Sequence, residues 1–166
     1  MSNIIPSYEY VRGLIAGEGC FSFCTVPVIG ENGRKLKVPA FILQMSQQDK
    51  NLVHLVKETM GLRNRIYEYK PRITKDSHNR QGMVVLIVRD FGQLKNIIVP
   101  FFHKKLIGFK AKQFEDWLEN IGNDPDVQER YRFIYKIYKA GFYDKNPKFF
   151  DYKCLDCLPH THDKHL

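Results

Sequence analysis

The sequence lacks long apolar runs, a secretory leader and any abundance of cysteine. No apolar run approaches the ~18 residues that a membrane-spanning helix requires, so we expect no membrane segment. The N-terminus has neither the basic region nor the apolar core of a secretory signal. We therefore expect the four cysteines to be reduced thiols inside a cell, in an organelle (chloroplast or mitochondrion) or in a bacterial cytoplasm.

Acidic residues are scarce in the middle of the chain. The 166 residues are enough for one domain with a substantial core, and they carry a formal net charge of +8. Residues 61–112 hold 12 Lys and Arg against 3 Asp and Glu, whereas the segments on either side are close to neutral. Because the excess is concentrated rather than spread, it indicates a polyanionic partner, DNA or RNA.

Helical and strand-like hydrophobic patterns alternate along the chain. The predicted strands span residues 20–28, 37–47, 63–70 and 83–89, and the predicted helices span 7–18, 48–60, 90–99, 110–119 and 126–138. A polar, basic loop is predicted over 72–82. The order α-β-β-α-β-β-α predicts an α+β fold in which helices cover one face of a four-stranded antiparallel sheet and leave the other face open.

Two glycines four residues apart precede a carboxylate at the end of the first predicted helix. Gly13 and Gly17 share one helix face. Because an interior glycine costs about 1 kcal/mol relative to alanine, the pair predicts close packing of a second helix. Glu18 lies beside unpaired helix carbonyls, an arrangement that suits a hard cation. An ordinary helix cap, with Gly19 left-handed and Glu18 solvated, explains the same spacing.

Residues 11–19 resemble the signature of the LAGLIDADG homing endonucleases. The matching positions are Val11, Gly13, Leu14, Ile15, Glu18 and Gly19, with Gly17 as a common variant. Arg12, usually a small residue, and Ala16, usually aspartate, depart from the pattern. The resemblance covers residues 8–119 and includes the stretches 97–102 and 106–117.

The resemblance implies hydrolysis of DNA phosphodiester bonds with Mg²⁺ or Mn²⁺, by a saddle-shaped sheet seated in the DNA major groove. It implies that Glu18 is the metal-binding catalytic acid and that the Gly17 carbonyl is a further ligand. Gln47 and Lys110 correspond to a polar residue and a lysine around the nucleophilic water. Lys104 and Lys105 are alternatives to Lys110, and a solvated strand end at Gln47 or a surface lysine at Lys110 is the alternative explanation.

The chain carries one copy of the motif. Residues 140–147 echo it, but Asn146 stands where the catalytic acid belongs, so we interpret the echo as a chance match. Single-motif members of the family are homodimers. The resemblance therefore implies a two-fold dimer that packs Gly13, Leu14 and Gly17 of two copies together, on a pseudo-palindromic DNA site.

The residues predicted to contact DNA lie on the strands and the basic loops. In the family register, strand alternation turns Cys20, Ser22 and Cys24 towards DNA with Ala40 and Ile42. This set is apolar, and contacts with thymine methyl groups account for part of it. The predicted DNA-binding residues are Ser22, Arg34, Lys35, Lys37, Gln44, Ser46, Arg65, Tyr67, Tyr69, Arg72, Lys75, Arg80 and Arg89.

We expect residues 1–150 to form the endonuclease domain and residues 151–166 a flexible tail. The tail holds Cys154, Cys157 and three histidines, a set that suits either a small zinc site or a weakly metal-binding terminus. The leading hypothesis for function is a site-specific double-strand DNA endonuclease of intron homing. The alternatives are a maturase that binds intron RNA and a DNA-binding protein that has lost cleavage; Glu18 favours the nuclease, and Ala16 keeps the last alternative open.

Overall fold

The computed structural model describes residues 4–73, 75 and 79–151, and its elements follow the predicted order. The helices are α1 (Tyr8–Glu18), α2 (Lys50–Met60), α3 (Phe91–Gln93), α4 (Val99–Phe102), α5 (Phe109–Asn123), α6 (Arg132–Lys139) and α7 (Phe142–Lys145). The strands are β1 (Gly19–Pro27), β2 (Lys35–Ser46), β3 (Ile66–Tyr69), β4 (Arg72–Ile73), β5 (Asn79–Arg80) and β6 (Met83–Val88). None of the described helices combines the length and the apolar character needed to cross a membrane.

Four strands form the predicted antiparallel sheet, in the order β1-β2-β6-β3. The predicted polar loop differs, because β4 and β5 pair with each other as a separate two-stranded ribbon in which Arg72 lies opposite Arg80. A strand of only two residues is too short for a hydrophobic period to reveal.

The helices cover one face of the sheet, as predicted, and the strand side chains that point to this face form the core with them. Phe21 of β1 points to this face, and its ring centroid lies 4.9 Å from that of Phe114 and 5.4 Å from those of Phe102 and Trp117. The same core contains buried residues of α1 and α2, including Val11 and Val53. Alternation thus places the neighbouring residues of each strand on the opposite, uncovered face.

The helix predicted to end at Pro100 continues to Phe102. A π-helical turn, Leu94–Ile98, precedes α4, and the Val99 amide donates to the Leu94 carbonyl five residues back. A proline ring clashes with the carbonyl four residues before it in an α-helix. The wider π turn moves that carbonyl, so the chain stays helical through the proline.

The last predicted helix begins later than expected. Residues 126–128 run along β2 instead: the Lys37 amide donates to the Asp126 carbonyl at 2.8 Å, and the Gln128 amide donates to the Lys37 carbonyl at 3.0 Å. β6 pairs with β2 only from Phe41 to Ser46, so the edge of β2 at Lys37 is available to another segment. The backbone of that edge, rather than local helix propensity, determines the conformation here.

Arg12 is buried, with 4% of its surface exposed. Its Nε donates to the Phe101 carbonyl at 2.9 Å, its Nη2 donates to the Phe149 carbonyl at 2.7 Å, and its Nη1 donates to Glu9 Oε1 at 2.7 Å. The guanidinium also lies 4.8 Å from the Phe101 ring centroid. Arg12, which stands where the motif usually has a small residue, therefore attaches α1 to α4 and to the C-terminal segment.

Asp151 caps the start of the same helix. Its carboxylate accepts hydrogen bonds from the Tyr8 amide at 2.8 Å and the Glu9 amide at 2.9 Å, where the helix dipole favours a negative charge. Asp151 is the first residue of the predicted tail, and the boundary at residue 150 stays a prediction. The cysteines and histidines at 154–165 lie outside the described residues.

We expect Arg12→Met to lower the free energy of unfolding by about 2–4 kcal/mol, because the buried carbonyl of Phe101 and the part-buried carbonyl of Phe149 lose their charged donor. Arg12→Lys should fall between methionine and wild type, since an ammonium cannot reach both carbonyls as the guanidinium fork does. Urea denaturation measures both. Arg34→Met is the control, because its ion pair with Glu31 is exposed; equal losses at Arg12 and Arg34 would contradict the assignment.

Candidate active site and nucleic-acid interface

The chain passes from α1 directly into β1 at Gly19. Its amide donates to the Ile15 carbonyl, and its backbone is extended (φ −78°, ψ 157°) rather than left-handed, so the ordinary glycine cap does not describe the junction. A Cβ at Gly19 would overlap the Ile15 side chain and lie 2.9 Å from the Ile15 carbonyl oxygen. Glycine is therefore required where the helix meets the sheet, and the exposed Glu18 side chain stands at that corner.

Lys110 reaches this corner from α5. Its Nζ donates to the Gly19 carbonyl oxygen at 2.6 Å, which places an ammonium one residue from Glu18. α5 is held against β1 because Trp117 Nε1 donates to the Ser22 carbonyl at 2.8 Å. Phe114 of α5 is buried on the same side as Trp117, as a helical spacing of three residues requires. The structure thus places Lys110 against the residue that follows Glu18, and the catalytic roles of both stay predictions.

The two alternative lysines are engaged elsewhere. Lys104 Nζ lies 2.6 Å from Asp144 Oδ1; this hydrogen bond lowers the pKa of the Asp144 carboxyl and raises the pKa of Lys104. Lys105 donates to the carbonyls of Pro100 and Lys148, and burial lowers its pKa to about 8. Of the three candidate lysines, Lys110 alone contacts the residue next to Glu18.

Gln47 lies apart from Glu18 and Lys110 within one chain. Gly19 pairs with Leu43, and Gln47 follows four residues later, about 13 Å further along at the rise of a strand. Its backbone amide donates to the Gly82 carbonyl at 3.0 Å. Its side chain lies so close to Gly82 that a Cβ on Gly82 would overlap the side chain of Gln47. Gln47 instead lines a groove with residues of the β4–β5 ribbon.

The donors at the corner fit a small hard cation only in part. Among the described residues, no three His, Cys, Asp or Glu side chains form a cluster able to hold a metal. Mg²⁺, however, is commonly bound by one or two carboxylates together with water and substrate phosphates. One Glu18 carboxylate and the Gly17 carbonyl, which as a last-turn carbonyl has no intrahelical partner, supply oxygen ligands of that kind.

The predicted dimer face on α1 is uncovered. A Cβ on Gly13 or Gly17 would meet no atom within 4 Å, in contrast to Gly19. Leu14 is half-buried, and Tyr10, one turn earlier on the same face, is 52% exposed. Nothing in the described part of the chain explains these two glycines through packing. Their role in contact between two copies stays a prediction.

Several predicted DNA-binding residues share the uncovered sheet face. Cross-strand neighbours point to the same side of a sheet, and the pairing aligns Ser22 with Ala40, Gln44 with Val85 and Tyr67, and Ser46 with Met83 and Tyr69. The residues of the prediction that lie on this face are Ser22, Gln44, Ser46, Tyr67 and Tyr69. Arg65, which precedes β3, lies with its guanidinium 5.7 Å from the Tyr67 ring centroid, and the exposed Arg89 follows β6.

The predicted phosphate-contacting residues differ in how far they are already paired. Arg72 and Arg80 face each other across the ribbon, where two like charges repel unless an anion lies between them. Lys37 is paired with Asp124 at 2.5 Å, and that hydrogen bond raises the pKa of Lys37. Arg34 is paired with Glu31, while Lys35 and Lys75 are exposed. The ribbon is the feature that sequence reasoning missed, although its two arginines were predicted.

We expect Gly19→Ala to lower the free energy of unfolding by about 1–3 kcal/mol, because the added methyl group overlaps Ile15 and forces the helix–strand junction apart. Gly17→Ala is the matched control: its methyl group meets open space, and alanine raises helix stability by about 0.5–1 kcal/mol. Urea denaturation at concentrations too low for self-association measures both. A tolerated Gly19→Ala would mean that the junction is not tightly packed.

The comparisons with known proteins agree with this geometry. The family model "LAGLIDADG endonuclease" matches residues 11–121. A meganuclease, I-SmaMI, solved bound to uncleavable DNA, has a TM-score of 0.59 and 20% identity over 84% of this chain and 45% of its own. The I-LtrWI LAGLIDADG homing endonuclease, bound to target DNA, has a TM-score of 0.55 and 21% identity over 85% of this chain and 45% of its own. The homing endonuclease I-TnaI has a TM-score of 0.52 and 20% identity over 70% of this chain and 71% of its own.

These structural likenesses establish the fold, and the chain spans less than half the length of the I-SmaMI and I-LtrWI chains. No curated protein matches the sequence significantly. The family model, however, covers well over half of the chain, including the motif, the sheet and α5 up to Ile121. The chain therefore belongs to the LAGLIDADG endonuclease family.

Proposed function

We propose that this protein is a site-specific double-strand DNA endonuclease that acts as a homodimer on a pseudo-palindromic site, in the homing of a mobile intron. The observation that carries the proposal is the corner where α1 meets β1. There the exposed Glu18 carboxylate stands next to Gly19, whose carbonyl accepts a hydrogen bond from Lys110. The uncovered sheet face and its basic ribbon extend from that corner, as a surface for duplex DNA requires.

Glu18 would hold Mg²⁺ or Mn²⁺ with the Gly17 carbonyl. When bound, such an ion polarises a phosphate and lowers the pKa of a coordinated water. Lys110 places a positive charge beside the same corner, where it stabilises the negative charge that develops on the phosphate oxygens. Its hydrogen bond to the Gly19 carbonyl fixes the position of that charge relative to Glu18.

Gln47 acts from the groove at the end of β2. Its side-chain amide can donate and accept hydrogen bonds at once, which suits a residue that orders water beside a phosphate. The groove also contains Arg72 and Arg80, whose charges hold the DNA backbone against this end of the sheet. The ~13 Å between Gln47 and the Gly19 pair corresponds to separate regions of one DNA surface rather than to one cluster of side chains.

Two copies of the unit are needed because each supplies one Glu18. Breaking both strands of a duplex requires two phosphates to be addressed, and a two-fold axis presents two equivalent sites. The bare face of α1 supports this arrangement, since Gly13 and Gly17 have no packing partner in the described part of the chain. A second α1 against this face brings both Glu18 residues near the axis.

Glu18→Gln should bind DNA like wild type and cleave at least about 10³-fold more slowly, because the amide keeps the shape but loses the charge that holds the cation. The probe is a randomised plasmid library incubated with Mg²⁺, followed by sequencing of the ends and by gel-shift binding to the recovered site. Glu58→Gln, an exposed carboxylate on α2, is the matched control. Wild-type cleavage by Glu18→Gln would remove Glu18 from the mechanism. Binding to the intron RNA without cleavage of any DNA would favour the maturase alternative.

Gly13→Leu should abolish the dimer without destabilising the folded chain. In the single chain the leucine enters open space and helix propensity improves by about 0.7 kcal/mol, whereas in the dimer it occupies the volume of the second helix. Sedimentation velocity measures the assembly and urea denaturation measures the fold. Asn120→Leu on α5 is the control for an added exposed leucine. An unchanged dimer in Gly13→Leu would place the interface elsewhere.

A further inference from the structure

The uncovered face of the sheet carries no charged side chain on any of its four strands. Two transverse rows cross its centre, Ile42 with Ile87, and Gln44 with Val85 and Tyr67. A third row contains Ser46, Met83 and Tyr69. We name Ile42, Met83, Val85 and Ile87 the apolar floor. Val85 is only 6% exposed, whereas Ile42, Met83 and Ile87 are half-buried, so these three side chains supply most of the accessible surface of the floor.

Positive charge surrounds the floor instead. A groove lined by floor residues is also lined by Lys70, Arg72 and Arg80 at the end of the sheet. Arg65 and the exposed Arg89 stand at the ends of β3 and β6. A polyanion held by this rim places its phosphates over the arginines and its interior over the floor. The charge complementarity therefore selects duplex DNA as the occupant, rather than an apolar protein surface.

The floor limits which base pairs can lie over it. In the major groove each base pair presents hydrogen-bonding groups, and the thymine C5-methyl group is the apolar feature. Aliphatic side chains leave hydrogen-bonding groups of both G·C and A·T pairs without partners, at a similar cost of desolvation, so this cost does not separate the two kinds of pair. Thymine offers a methyl group that packs against isoleucine, valine and methionine.

We propose that the apolar floor selects thymine through its methyl group, and that Gln44 within the floor reads an adenine, so that each half-site contains an A·T-rich segment. Gln is suited to adenine because its amide can bond both N6 and N7. Successive rows lie ~6.7 Å apart, about two base-pair steps, so three rows cover about four steps. The inference rests on the proposed function only in requiring that this face binds duplex DNA.

The test begins with affinity selection of a randomised 30-base-pair duplex library by the full chain, without divalent metal so that no DNA is cut. The recovered duplexes are then remade with deoxyuridine in place of thymine, which removes the methyl group and keeps the base pairing. We expect A·T-rich segments in each half-site. We also expect affinity to fall about 4-fold for each contacted thymine that is replaced, the fold-change that burial of one methyl group gives.

A double-mutant cycle with Ile87→Ala locates the effect. If Ile87 contacts a thymine methyl group, the variant loses the deoxyuridine penalty at that one thymine and keeps it at the others. Ile5→Ala is the control, because Ile5 is exposed and precedes α1, outside the sheet. A change that merely loosened the fold would weaken all duplexes equally and leave every penalty in place.

The outcomes separate the two proposals. Recovery of G·C-rich half-sites, or deoxyuridine duplexes that bind as tightly as the thymine ones, would overturn the role of the floor while leaving an endonuclease in place. If no duplex is enriched, the proposed function itself fails, and the floor loses its occupant with it. Enrichment of A·T-rich half-sites with a penalty that disappears at one position in Ile87→Ala would establish methyl recognition.

Discussion

The passage from α1 into β1 without an intervening loop is the constraint on which the arrangement depends. A loop would let the helix rotate against the sheet, whereas Gly19 ends the helix through its amide and starts the strand opposite Leu43. The carbonyl of the same residue accepts from Lys110, so α5 is fixed to the same point. One residue without a side chain therefore sets the mutual position of a helix, a strand and a lysine. The position of Glu18 follows from this arrangement, because Glu18 directly precedes Gly19 in the chain.

The opposite end of α1 is held by charge rather than by close packing. Arg12 donates to carbonyls of two other segments, and Asp151 caps the first turn. Burying a guanidinium is costly, but here each of its three nitrogens donates a hydrogen bond, and such pairing allows a buried charge to be tolerated. Between these two attachments the helix exposes Gly13 and Gly17. A helix fixed at both ends keeps its orientation, as the proposed contact with a second copy requires.

The sequence predicted what is encoded locally. The order of elements followed from hydrophobic periods, and Glu18 with Lys110 followed from the resemblance to a family. Two predicted helix boundaries were wrong. The last helix begins late because residues 126–128 pair with an edge of β2 that is free only because β6 is shorter. The helix predicted to end at Pro100 continues because a π turn precedes the proline. The role of Arg12 was also invisible, since its partners lie 89 and 137 residues away. Gln47 was predicted from its position in the family pattern, yet the structure places it in the groove of the β4–β5 ribbon, apart from Glu18.

The separation of charge from the sheet face divides affinity from specificity. The ribbon and loop arginines repel one another and gain most from a phosphate backbone, a contribution that is the same for every sequence and weakens with salt. The strands beneath carry no charged side chain on this face, and their polar side chains there include Gln44, Ser22, Ser46 and two tyrosines. If this face binds DNA as proposed, discrimination comes from Gln44 together with shape and methyl contacts, and none of these depends on the release of counterions. Raising the salt concentration therefore removes sequence-independent binding first, and the preference among sites increases as total affinity falls.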